Sequence, residues 1–193
     1  MEIDSAISQI WSCFARPSLV RAISTVAFGI SLQATPFRIV YNVLFKCSIS
    51  HIACGLFLAT GLWFFVSRFL MASGTSLPHE VRREVEWQFC LDIHCNAYAG
   101  YAFLTQYVHY VLLQLVLKRS WLATLLSNLM FAVAVSSYLY VTLRVLVELP
   151  SLHRQQIVLY PILAVGTLFL LGTVRWPINM SHIVLGYTWP EFD

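Results

Sequence analysis

The residues best equipped for chemistry crowd into one stretch, Val85-Glu86-Trp87-Gln88-Phe89-Cys90-Leu91-Asp92-Ile93-His94-Cys95-Asn96-Ala97-Tyr98. Two acids, a histidine and an amide stand there at the entrance of a long apolar run, where polar groups are expensive unless paired. Metal ligation is the first chemistry to weigh. Glu86, Cys90 and His94 share one helical stripe, yet Glu86 and His94 lie about 12 Å apart along a straight helix, too far for a single ion. Asp92 and His94, two residues apart, point to different sides. Only a partner helix carrying His51 or His109 would complete a site, so no metal is expected. The plainer reading is a polar network at a helix entrance, its acids paired with Arg82 or Arg83 and Asn96 bonded to a neighbouring helix.

Catalysis finds no better support. There is no G-x-S-x-G, no H-E-x-x-H and no Gly-rich phosphate loop, so neither enzymatic activity nor a cofactor is expected. A transporter would need several ionisable groups near mid-bilayer. His51 and His109 alone lie well inside the apolar runs, and such a histidine is usually a satisfied packing residue. Five cysteines form no C-x-x-C and leave an odd count, which predicts neither a disulfide framework nor a zinc site. Cys47 and Cys54 fall in or beside an apolar run, where a thiol packs as a small apolar group. The basic pairs Arg82-Arg83 and Lys118-Arg119 read as anchors flanking spans, and no basic stripe with interleaved aromatics argues for nucleic acid.

The elements that must carry these residues belong in lipid. Residues 47–66, 97–117, 121–143 and 157–174 contain no Asp, Glu, Lys or Arg. At 1.5 Å of rise per residue, each covers roughly 27–35 Å as a helix, close to the hydrocarbon thickness of a bilayer. Hydrophobic residues make up 59% of the chain and charged residues 11%, against roughly 25% charged in soluble domains. The expected fold is all-α, a polytopic membrane bundle of about five spans at 17–34, 42–66, 96–117, 121–146 and 157–174. A short amphipathic helix at 1–16, built on Ile3, Ile7, Ile10, Trp11 and Phe14, is expected to lie in the interface. No cleavable signal peptide is expected, because Glu2 and Asp4 replace a basic start. A polar loop occupies 67–94, and 177–193 forms a short tail.

Finer features follow. The 17–34 span is short and holds Arg21, expected to snorkel to one interface; Lys46 is expected to reach back to the headgroups in the same way. Gly55-x-x-x-Ala59 puts two small residues on one face of the second span, suited to close helix packing. The tight Lys118-Arg119-Ser120 turn makes spans three and four antiparallel neighbours. Arg144 and Glu148, four apart, are placed to pair, and Tyr160-Pro161 marks a bend or a helix start. With five spans, Arg16, Arg21, Arg68, Arg82, Arg83, Arg144 and Arg154 fall on one side, against Arg38, Lys46, Lys118, Arg119 and Arg175 on the other. The seven-to-five excess favours a cytoplasmic N-terminus and a luminal C-terminus. Asn179-Met180-Ser181 is a glycosylation sequon on the side called luminal.

Several ordered motifs resemble the uncoordinated-fifty family: Ser24-Thr25-x-x-Phe28-Gly29, Ala59-Thr60-x-x-Trp63-Phe64, Val85-Glu86-Trp87, Asp92-x-His94-x-Asn96-Ala97, Ser137-Tyr138-x-Tyr140-Val141-Thr142, Leu149-Pro150 and Leu159-Tyr160-Pro161. The resemblance implies a five-span, non-enzymatic protein of the Golgi membrane or the endoplasmic reticulum. It implies work in vesicular traffic: transport of receptors such as nicotinic acetylcholine receptors, and engagement of Golgi Arf-exchange or tethering machinery. Glu86, Trp87, Asp92, His94 and Asn96 would be the family's polar hallmark. The family's longer basic N-terminus and fuller first span look shortened here. The alternative is a small transporter or lipid-handling protein using its intramembrane histidines.

Overall fold

The computed structural model describes residues 11–70, 85–148, 157, 160–176 and 178–190. The first ten residues of the expected interfacial helix, the Arg82 and Arg83 pairing, and the linker around Pro150, His153 and Arg154 lie outside these residues.

All regular structure among the described residues is helical. Helix α1 (Arg16–Ser31) is entered through a wide π-type turn, Trp11–Ala15, with Pro17 in the first turn, where its missing N–H costs nothing. Gln33 turns the chain in a left-handed conformation, φ 53°. Pro36 then opens α2 behind an extended Thr35. Helix α2 is one rod, Pro36–Leu70, of 35 residues, with π-type turns at Asn42–Ile49 and Val66–Leu70. Helix α3 (Trp87–Ala102) continues through a π-type segment, Phe103–Val108, and two short turns, His109–Val111 and Leu113–Val116. Helix α4 (Trp121–Val147) starts where Ser120 accepts a hydrogen bond from the Ala123 N–H at 3.2 Å. Helix α5 (Tyr160–Arg175) breaks by 94° into α6 (Met180–Thr188).

Helices α2 and α4 are each long and apolar enough to cross a membrane, and α5 with α6 reaches that standard as a bent pair. The side chains agree with a lipid solvent. Phe57 is 77% exposed, Val111 83% and Leu163 72%; in water such apolar surface would drive association. No residue of Tyr160–Leu170 is buried. The interior instead collects small and polar groups, among them Ala59, Ala97, Ala134, Ser127, Ser181, His51, His94 and His109, as expected where helices meet without a hydrophobic drive. One apolar cluster, Val66, Leu70, Ile93, Leu143 and Leu146, seals one end.

The expected antiparallel packing of spans three and four is present, as is a helix start at Tyr160. Gly55 and Ala59 are both buried on one face of α2, and a Cβ on Gly55 would meet the Phe14 ring at 2.5 Å and His94 Nε2 at 3.2 Å.

Four expectations are corrected. Cys13 and Cys95 are joined as a disulfide, because α3 brings residues 82 apart in sequence to a Cα separation of 5.0 Å, which cysteine counting does not foresee. Arg21 lines an internal cavity with Tyr98, Tyr101 and Tyr110 rather than snorkelling. The Lys46 ammonium donates to the Tyr187 and Thr188 carbonyls at 2.6 and 3.2 Å, capping α6 instead of reaching headgroups. Arg144 and Glu148 are exposed and, among the described residues, do not pair with each other, since a lone exposed pair gains little against its side-chain entropy. Helix α6 falls within the 177–193 tail.

Candidate functional site

The Glu86–Asn96 segment occupies the first turns of α3, so part of the expected loop is helix. Glu86 takes the extended N-cap position without a side-chain capping bond and is exposed, as is Gln88. The Trp87 indole N–H donates to Thr60 Oγ1 of α2 at 3.0 Å, and the Trp63 indole donates to the Val85 carbonyl at 3.0 Å. Two tryptophans thereby tie the start of α3 to α2. Asp92 is half-buried, and Asn96 is exposed, without the expected bond to a neighbouring helix. His94 alone of the five hallmark residues is buried. Its Nδ1 shares a 2.8 Å hydrogen bond with the Tyr138 hydroxyl of α4, while Nε2 faces Gly55 without a hydrogen-bond partner. The segment therefore divides into an outward polar rim, Glu86 to Gln88, and an inward anchor, His94.

Deeper in the bundle lies a polar seam that the sequence reading met only at its histidines. His51 Nδ1 and Tyr98 Oη stand 3.2 Å apart. The Gln106 amide donates to the same Tyr98 oxygen at 2.9 Å, and Arg21 lines the same space. His109 Nε2 shares a 3.0 Å bond with Ser181 Oγ of α6, which meets Ser127 Oγ at 2.7 Å. Each intramembrane histidine thus has a hydroxyl partner.

Asn128 is the residue that sequence reasoning missed most clearly. Its amide nitrogen donates to the Ile178 carbonyl at 2.9 Å, to Thr173 Oγ1 at 3.1 Å and to the Gly172 carbonyl at 3.3 Å. Its Oδ1 accepts from the Met180 N–H at 3.1 Å. One side chain therefore satisfies backbone groups freed by the break between α5 and α6, as an interrupted membrane helix requires. Asn179, the sequon residue, accepts from the Ser181 N–H at 2.9 Å, and its amide nitrogen donates to the Val116 carbonyl at 2.7 Å. The nitrogen that a glycan would use is engaged in the folded chain. Among the described residues, no three His, Cys, Asp or Glu side chains are grouped to hold a metal ion.

Comparison with known proteins fits this membrane architecture. The family model described as the UNC-50 family matches residues 12–189. The chain is 32% identical over 154 residues to "Protein unc-50 homolog" of Dictyostelium discoideum, covering 79% of this chain and 58% of that protein. It is 27% identical over 145 residues to "Protein GMH1 homolog" of Schizosaccharomyces pombe, covering 75% and 62%. It is 27% identical over 183 residues to "Protein unc-50 homolog" of Homo sapiens, covering 92% and 63%. The chain spans about three-fifths of the length of these relatives. None of these names is that of an enzyme. No solved structure matches.

Proposed function

Because the chain belongs to the UNC-50 family, we propose that it is a five-span, non-enzymatic trafficking factor of the Golgi and early secretory membranes. In this reading it recruits Arf-exchange or tethering proteins and supports transport of receptors such as nicotinic acetylcholine receptors. Helices α1 to α5 make the crossings, with a cytoplasmic N-terminus from the seven-to-five basic excess.

One observation carries the recruitment reading. Glu80, Arg82, Arg83, Glu84, Glu86 and Asp92, six of the 21 charged residues, fall within one short stretch, and its described end, Glu86 to Gln88, is exposed and held against α2 by the two tryptophans. A charged rim fixed on a rigid helix end suits a protein partner, because its ordering cost is already met by the fold. A transport reading would use His51, His94 and His109, but each is engaged with a hydroxyl, of Tyr98, Tyr138 and Ser181 respectively.

Replacing Glu86, Trp87 and Asp92 together by Ala tests the assignment. The variant is expected to stay in membranes after carbonate washing yet lose co-purification of Arf-exchange and tethering proteins. Unchanged recovery of those proteins would show that the rim is not the recruiting surface.

A further inference from the structure

The polar seam opens into a cavity of about 130 Å³ between α1, α2, α3, α4 and α6. That volume is too small for a drug-sized molecule but suits roughly ten waters or one phosphate-sized group. Among the described residues, Arg21 supplies the formal charge on the wall, and no Asp or Glu lines it. Tyr98, Tyr101 and Tyr110 line the same cavity as that guanidinium. Gln106, 4% exposed, spends its amide nitrogen on Tyr98 and leaves Oε1 without a partner.

The backbone is shaped for this space as well. The π-type segments Asn42–Ile49 and Phe103–Val108 contribute Cys47, Thr105 and Gln106 to the wall, and such widened turns recur at functional sites. Helix α6 closes one side with Val184, Leu185 and Thr188. Water in the cavity would satisfy Gln106 but bring no counter-charge to the half-buried Arg21, and a cation facing a lipid-embedded interior is costly without one. A guanidinium with free donors takes a phosphate in bidentate fashion. A phosphate also brings the hydroxyl, or the headgroup donor, that Gln106 Oε1 lacks.

We propose that this cavity binds a phosphate group, free or at the head of a phospholipid, with Arg21 as its main partner and the three tyrosine hydroxyls as supporting donors. The proposal stands apart from the recruiting rim at Glu86 to Gln88, so either can fail without the other.

The test uses the full chain, delipidated in a phosphate-free maltoside detergent. Inorganic phosphate, short-chain phosphatidic acid and short-chain diacylglycerol are each titrated while the melting temperature and the native mass are followed. The expected result is a saturable rise in melting temperature, with one adduct per chain, for at least one phosphate-bearing probe and none for diacylglycerol. A response to inorganic phosphate assigns the free anion; a response to phosphatidic acid alone assigns the lipid. Arg21→Leu should weaken binding at least tenfold and Arg21→Lys less, while Arg175→Gln, at an exposed position, should bind as the unaltered chain does. Should Arg21→Leu not fold, Tyr101→Phe and Arg21→Lys each report a severalfold loss. No response to either phosphate probe, an equal response to diacylglycerol, or full binding by the Arg21 and Tyr101 variants overturns the proposal.

Discussion

At the scale of residues, the same substitution is expected to act with opposite sign at two glycines of α2. A Cβ on Gly55 lands 2.5 Å from the Phe14 ring, which is itself buried and held edge-on to His51. Gly55→Ala should therefore cost about 1–3 kcal/mol, the usual penalty for overpacking. Gly61 has no neighbour within 4 Å of that position, so Gly61→Ala should be neutral or stabilise by up to about 1 kcal/mol through helix propensity. Thermal unfolding in detergent separates the two; equal effects would disprove the packing argument. Asn128→Leu removes four interactions, each worth about 0.6 kcal/mol inside membranes, for a loss of roughly 2 kcal/mol by the same measurement. A loss near zero would mean that Asn128 does not hold the break. Little of this was legible in the sequence. Gly55-x-x-x-Ala59 showed a close-packing face, but Asn128 looked like one polar residue in an apolar run, and its partners lie 44 to 52 positions away.

At the scale of elements, α4 was legible almost to the residue, because a serine cap and an uninterrupted apolar run define both ends. Helix α6 was not. It is nine residues long and follows a break, and what places it is tertiary: Ser181 on Ser127, Trp189 buried against Gly29, and Lys46 on the last carbonyls. Its one local signal was Asn179, which reads equally as a helix cap and as a sequon. Arg21 was misread for a related reason. A basic residue near the end of a short apolar run normally reaches for headgroups, and only the packing of the helices shows that Arg21 lines a cavity with three tyrosines. Lys46→Met should leave the Tyr187 and Thr188 carbonyls uncapped and loosen α6. Amide hydrogen exchange should then rise at Val184–Thr188 and stay unchanged in α4; equal exchange in both chains would show that the lysine is dispensable.

At the scale of the whole molecule, the solvent was plain from composition, and the lipid-facing apolar surface with a polar interior follows from it. The number of crossings was less plain, since α1 is short and α3 carries a polar seam that lowers its hydropathy. The disulfide bears on orientation. In the proposed orientation Cys13 and Cys95 lie at the cytoplasmic end, where thiols are kept reduced. The disulfide of the folded chain pulls against that orientation, and lysing cells in maleimide decides between them: alkylation of both cysteines supports the cytoplasmic placement. A disulfide already complete in cells would place that end in the lumen.

The most direct test asks whether α3 crosses the bilayer. Single cysteines at Ser76 and Ser120, in a chain otherwise free of cysteine, are exposed to a membrane-impermeant maleimide in sealed Golgi vesicles whose cytoplasmic face is outward. The account predicts labelling at position 76 in intact vesicles and at position 120 only after permeabilisation. Labelling of both positions in intact vesicles would contradict it, because the chain between them would then not cross.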